Sequence, residues 1–166
     1  MNDSYAEAGV KRKDTAGTVA VRVLLIFLAV IGVLLILFQN SLLFILAVIL
    51  IAAIVYIFPR LNVEYEYIYC DGQLDFDKIM GNAKRKTVKR IDFEHVDMMA
   101  PLGSHSLDGF SHLKCVVKDF SSGGKDAKPY VIVARDSGTI TKYLFEPNDK
   151  MLSLIKMKYP RKLSGQ

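Results

Sequence analysis

Two long apolar stretches near the N-terminus dominate the pattern of the chain. Residues 18–38 and 42–58 contain one charge, Arg22, and the polar triplet Gln39-Asn40-Ser41 separates them. At about 1.5 Å of rise per residue, helices of these lengths reach across the roughly 30 Å hydrocarbon core of a bilayer. Amide side chains left unpaired in hydrocarbon are costly, so the triplet predicts the turn of a two-helix transmembrane hairpin over residues 18–58.

Positive residues flank the outer ends of this hairpin. Lys11, Arg12 and Lys13 precede the first span, Arg60 follows the second, and the turn carries no charge. Lys and Arg are retained on the cytoplasmic side, so both termini are predicted there, with residues 1–17 as a cytoplasmic tail. Arg22 lies one turn inside the first span and is expected to reach the headgroups by snorkelling.

After residue 60 the pattern becomes that of a small β domain. Val63, Tyr65, Tyr67 and Tyr69 lie on one face, opposite the polar residues Asn62, Glu64 and Glu66, which predicts a half-buried strand over Leu61–Cys70. Asp71-Gly72 favours a hairpin turn after it. Further strands are predicted over Gln73–Met80, Lys86–Phe93, His112–Phe120, Tyr130–Arg135 and Thr139–Phe145. In the strand His112–Phe120, Leu113, Cys115 and Val117 are expected to face inward. A loop is predicted over Met98–Ser111, and a C-terminal helix over residues 147–159.

This order of elements predicts the fold class: a membrane α-hairpin, then a mainly antiparallel β domain over residues 61–166 with a C-terminal helix. The hairpin ahead of VEYEYIYCDGQLDFDKIM, followed by the basic strand KRKTVKRIDFEHV, resembles bacterial pleckstrin-homology-like (PH-like) membrane proteins. It is most similar to a family of small two-span membrane proteins of Gram-positive bacteria. The resemblance implies a PH-like roll or barrel and the bacterial cytoplasmic membrane, and it supplies no site residues.

One cluster of positive charge stands out in the β domain, and we call it the basic run. Its residues are Lys84, Arg85, Lys86, Lys89 and Arg90. Lys and Arg close to an anionic leaflet gain on the order of 1 kcal/mol each, so the basic run is a candidate lipid- or anion-binding site. The alternative is a solvated strand face paired with Asp75, Asp77 and Asp92. No aromatic residue is interleaved with these charges, so nucleic acid is not an expected partner.

Residues with catalytic or metal-binding chemistry form no recognisable motif. His95, His105 and His112 are suitable ligand types, but no pair has the helical i, i+4 spacing of a metal site. Cys70 and Cys115 are far apart and are expected as reduced thiols. No metal site, cofactor or enzymatic activity is therefore expected.

The chain is 51% apolar with a formal net charge of +5, as expected for a membrane segment joined to a folded domain. We expect a non-enzymatic interaction or scaffold protein, anchored in the lipid bilayer. Its cytosolic PH-like domain would contact anionic headgroups of the inner leaflet or another membrane protein, and its oligomeric state stays open. The alternative is a metal-dependent enzyme that uses the region of His95, His105 and His112. A pore is disfavoured because only Arg22 is ionisable within the spans.

Overall fold

The computed structural model describes residues 4–37, 40–81, 84–136 and 138–164, with the backbone alone for Lys84 and Asp136. These residues form two compact units: Lys13–Val63 with Met80–Lys84, and the remainder. The helices are α1 (Ala16–Ile36), α2 (Ser41–Ile57) and α3 (Asp149–Lys158). The strands are β1 (Tyr5–Lys11), β2 (Val63–Cys70), β3 (Gln73–Met80), β4 (Lys84–Asp92), β5 (Val96–Pro101), β6 (Cys115–Asp119), β7 (Tyr130–Asp136) and β8 (Thr139–Phe145).

In the first unit, α1 and α2 form the predicted helical hairpin. Both helices begin slightly earlier than predicted because polar side chains cap them: Thr15 accepts the N–H of Thr18, and Asn40 accepts those of Leu42 and Leu43. Residues 38 and 39 of the predicted span and turn lie outside the described residues. Only 11% of the most apolar stretch of each helix is buried within the chain, whereas the core helix of a soluble protein is mostly buried. Both helices are long and apolar enough to cross a membrane.

Polar contacts close the base of the hairpin. Arg22, which was expected to reach the headgroups, donates to the Asp14 carboxylate and, from Nη2 over 2.6 Å, to Asn62 Oδ1. The N–H of Gly81 donates to the Asn62 carbonyl over 3.1 Å. Gly81 has a φ of +61°, and a Cβ there would lie 3.0 Å from Pro59 Cβ, so glycine is required at this close approach.

The second unit contains two four-stranded sheets, in the orders β1-β2-β3-β4 and β5-β7-β8-β6. Strand β1 lies in the segment predicted as a tail over residues 1–17. It pairs antiparallel with β2 along its whole length, from Tyr5 opposite Cys70 to Lys11 opposite Glu64. The β domain therefore contains residues from both sides of the hairpin, whereas the sequence predicted a start at residue 61.

The core of the β domain is aromatic. The predicted inward face of β2 is confirmed, since Tyr65, Tyr67 and Tyr69 are all buried. The Phe76 ring packs edge-on against Tyr67 and stacks against Phe120 with ring centroids 4.8 Å apart. Helix α3 closes the core with Met151, Leu152 and Ile155. The predicted fold class, an apolar helical hairpin with a mainly antiparallel β domain and a C-terminal helix, is confirmed.

Three local predictions differ from the structure. The predicted loop over Met98–Ser111 contains most of β5, which pairs with β7, and a 3₁₀ helix, His105–Phe110. Helix α3 begins at Asp149 because the Asn148 side chain accepts the N–H of Met151.

The third difference concerns β6, which is shorter than predicted and parallel to β8. Its register places Val116 opposite the buried Thr141 and Lys118 opposite the buried Tyr143. Those two residues share the inner face of the sheet, so the predicted inward orientation of Val117 is wrong, and Val117 is 58% exposed.

Candidate functional site

The basic run lies on β4, at one edge of the first sheet, and its two arginines are paired with acids. Arg85 Nε lies 2.8 Å from Asp77 Oδ2, and its guanidinium also contacts the Glu66 carboxylate. Arg90 donates from Nε and Nη2 to both oxygens of Asp75, over 2.6 Å each. The bidentate hydrogen bond to Asp75 raises the pKa of Arg90. For these two arginines, the geometry agrees with the alternative to an anion-binding site, a strand face whose positive charges are paired with acidic residues.

The lysines of the basic run differ from its arginines. Lys86 is exposed and forms no ion pair with any residue that the structure describes, whereas Lys89 is half-buried. The side chain of Lys84 lies outside the described part of the chain. Asp92, suggested above as a partner of these charges, accepts the N–H of Glu94 over 2.9 Å. Anion binding by the basic run as a whole stays a prediction.

The end of β4 also forms one wall of a cleft of about 230 Å³, which we call the basic cleft. Its polar lining is Lys89, Arg90, Asp92, His95 and Arg135, and its floor is Ile91, Ala134 and Tyr143. Three permanent cations therefore surround one carboxylate. Arg135 was not among the predicted site residues, because only the pairing of β5 with β7 brings it near Asp97, 38 positions away in the sequence.

Comparison with known families agrees with this architecture. The family model described as "Bacterial PH-like domain (DUF6106)" matches residues 2–165. The chain belongs to this family. The match runs from before β1 to beyond α3, so the family unit includes the hairpin as well as both sheets. The resemblance to bacterial PH-like membrane proteins is thereby confirmed. Neither the curated proteins nor the solved structures contain a match to the chain.

The three histidines of this PH-like protein lie in three different places of the β domain. His105 Nδ1 lies 3.2 Å from Asp108 Oδ2 within one 3₁₀ helix, His112 is exposed, and His95 lies at the rim of the basic cleft. Among the residues that the structure describes, no group of three His, Cys, Asp or Glu side chains is arranged to hold a metal ion. Cys70 is exposed and Cys115 half-buried, and both are free thiols.

Proposed function

We propose that this PH-like protein is a non-enzymatic interaction protein of the bacterial cytoplasmic membrane, whose domain contacts the inner leaflet or a membrane partner. The observation that supports it is the insertion of the apolar hairpin between two paired strands. Lys11 at the end of β1 lies opposite Glu64 at the start of β2, and the residues between them form the hairpin. Two covalent connections, instead of one flexible linker, therefore join the domain to its anchor.

This connectivity favours one topology. The outer ends of α1 and α2 both lead within a few residues to neighbouring positions of the same sheet, so both ends face the same side of the membrane. A chain that crosses the membrane twice, once with α1 and once with α2, has both of these ends on the same side. The positive flanks Lys11, Arg12, Lys13 and Arg60 favour the cytoplasmic side for both termini.

The base of the hairpin also favours a lipid contact for the basic run. The Arg60 guanidinium lies 3.6 Å from the Tyr56 ring centroid, and such aromatic and cationic residues are typical of the membrane–water interface. Gly81, just before β4, is hydrogen-bonded to Asn62 in the same unit. The chain reaches the start of β4, at Lys84, three residues after Gly81. We infer that the first lysines of the basic run, Lys84 and Lys86, bind anionic headgroups.

The test uses the full chain in nanodiscs made from phosphatidylcholine and phosphatidylglycerol. The measurement is the fraction of phosphatidylglycerol retained with the protein after partial delipidation. Each lysine near the surface contributes on the order of 1 kcal/mol, so the native chain should enrich phosphatidylglycerol and Lys84→Gln/Lys86→Gln should lose most of that enrichment.

The matched control is Lys125→Gln/Lys128→Gln, which removes the same charge from exposed loop residues. It should keep the native enrichment. Equal retention by the native chain and the Lys84/Lys86 variant would contradict a leaflet contact by the basic run. An equal loss in the control would show that net charge alone is responsible. After either result, only the second part of the proposal would stand, a contact of the domain with a membrane protein partner.

A further inference from the structure

The two arginines that line the basic cleft are both held by acids that do not line it. Asp75 binds Nε and Nη2 of Arg90, and Asp97 binds Nε of Arg135 over 3.0 Å. We propose that the basic cleft is a binding site for a phosphate monoester, carried by a small soluble molecule or by a lipid headgroup.

The first argument is donor availability. A guanidinium has five N–H donors in a fixed planar fork. Among the residues that the structure describes, the contact with Asp75 leaves Nη1 of Arg90 available, and the contact with Asp97 leaves both Nη atoms of Arg135. The carboxylates thus fix the two planes while N–H groups remain for a ligand. Phosphate oxygens match such forks through charge-assisted hydrogen bonds.

The second argument is the charge and size of the basic cleft. Lys89 and His95 add a cation and a further nitrogen donor, while Asp92 is the only carboxylate in the lining. Part of the Asp92 carboxylate is already used, because Oδ1 accepts the N–H of Glu94. The volume of about 230 Å³ is below the roughly 300–1,000 Å³ of pockets for drug-sized ligands. A phosphate group with a small substituent fits this size better than a large cofactor.

The third argument is the rigidity of the floor. Ile91, Ala134 and Tyr143 are all buried, at 4%, 5% and 0% exposure, in the two packed sheets. The cationic side chains therefore project from well-packed strands, which limits the conformational entropy that binding would remove. This inference is independent of the leaflet contact proposed above, because a soluble phosphate tests it without any anionic lipid.

The test compares three forms of the full chain: native, Arg90→Gln/Arg135→Gln, and Lys125→Gln/Lys128→Gln. The last form is the matched control, since it also removes two positive charges, from exposed residues that belong neither to the basic cleft nor to the basic run. In the first arm, calorimetry in neutral detergent measures the Kd of inorganic phosphate at constant ionic strength. In the second arm, nanodiscs containing phosphatidic acid, a monoester, are compared with nanodiscs containing phosphatidylglycerol, a diester.

We expect at least one monoester probe to bind the native chain, with a preference for phosphatidic acid over phosphatidylglycerol if the source is a lipid. Loss of two charge-assisted contacts should weaken binding at least about tenfold in the Arg90/Arg135 variant, and Lys125→Gln/Lys128→Gln should keep the native Kd. Binding of inorganic phosphate alone identifies a soluble ligand, and binding of phosphatidic acid alone identifies a lipid.

Two results would overturn the proposal: no binding of either probe to the native chain, or equal weakening in Lys125→Gln/Lys128→Gln and in the Arg90/Arg135 variant. Circular dichroism checks that each variant is folded. If the Arg90/Arg135 variant does not fold, Arg135→Lys replaces it. This change keeps the charge but removes the planar fork, so it should still weaken phosphate binding, and an unchanged Kd would count against the site.

Discussion

The hairpin and the β domain use the same kinds of apolar side chain in opposite ways. In α1, Leu24 and Phe27 are 55% and 62% exposed, whereas Phe76 and Phe145 in the sheets are completely buried. The β domain makes its own apolar interior from two sheets and α3. The hairpin has almost none, and its exposed side chains are those of helices long and apolar enough to cross a membrane. The difference shows that apolar content alone does not identify a core, because burial within the chain is what separates the two regions.

The strongest test of this comparison places the same charge on exposed apolar residues of both regions. Phe27→Asp should impair membrane insertion, because an aspartate near the centre of a span costs about 2.5–3.5 kcal/mol. Val117→Asp, at 58% exposure on β6, should leave insertion unchanged. Alkaline carbonate extraction of membranes measures the fraction that stays inserted. Equal extraction of both variants would mean that the exposed face of α1 does not contact lipid.

A second test asks whether the domain depends on the strand that precedes the hairpin. Ala6 on β1 is 1% exposed and faces Tyr69, so Ala6→Asp introduces a charge into the core. We expect a loss of at least about 2 kcal/mol in the free energy of unfolding of the β domain. Denaturant titration in micelles, followed by circular dichroism, measures it.

The control for this test is Glu7→Gln, at the exposed neighbouring position of β1, which should be close to neutral. A wild-type unfolding curve for Ala6→Asp would show that β1 is dispensable to the domain.

The smallest effect concerns the aromatic core at high pH. Tyr67 OH donates to the Phe120 carbonyl over 2.5 Å, and burial raises the pKa of Tyr67 above its ordinary value of 10.0. The folded state thus favours the neutral phenol. Its contribution to stability is complete below pH 10 and declines as the pH rises above 10.

Tyr67→Phe should cost about 1 kcal/mol at neutral pH through loss of the hydrogen bond. It should also reduce the fall in stability above pH 10. Burial raises the pKa of Tyr69 as well, so part of the alkaline dependence should remain. Thermal melts between pH 8 and pH 11 measure both effects, and an unchanged alkaline slope in Tyr67→Phe would exclude Tyr67 as its source.

The sequence predicted features in which local chemistry decides the structure. Alternating tyrosines fixed the inner face of β2, and Asp71-Gly72 forms the expected turn, with φ values of 45° and 92°. Strand β1 was missed because its inward residues include the small Ala6 and Ala8, which give a weak alternating signal. Its main stabilising partner is β2, which lies beyond the hairpin in the sequence, so no local pattern reveals it.

The site was predicted less completely than the fold. The basic run was found by its charge, but the carboxylates that hold Arg85 and Arg90 come from β2 and β3, and local sequence does not give their distances. Arg135 reaches the basic cleft only through the strand order of the second sheet. Val117 was placed on the wrong face because alternation alone does not show which face of a parallel edge strand is buried.

The position of the hairpin between β1 and β2 has a consequence for the order of folding. During synthesis, β1 emerges first and cannot pair until β2 has followed the hairpin out of the ribosome. Until then, β1 has no partner strand, and unpaired strand edges promote aggregation. A formed hairpin brings residues 12 and 63 back together and so shortens the loop that must be closed entropically. We therefore expect the first sheet to be completed only after the hairpin has formed.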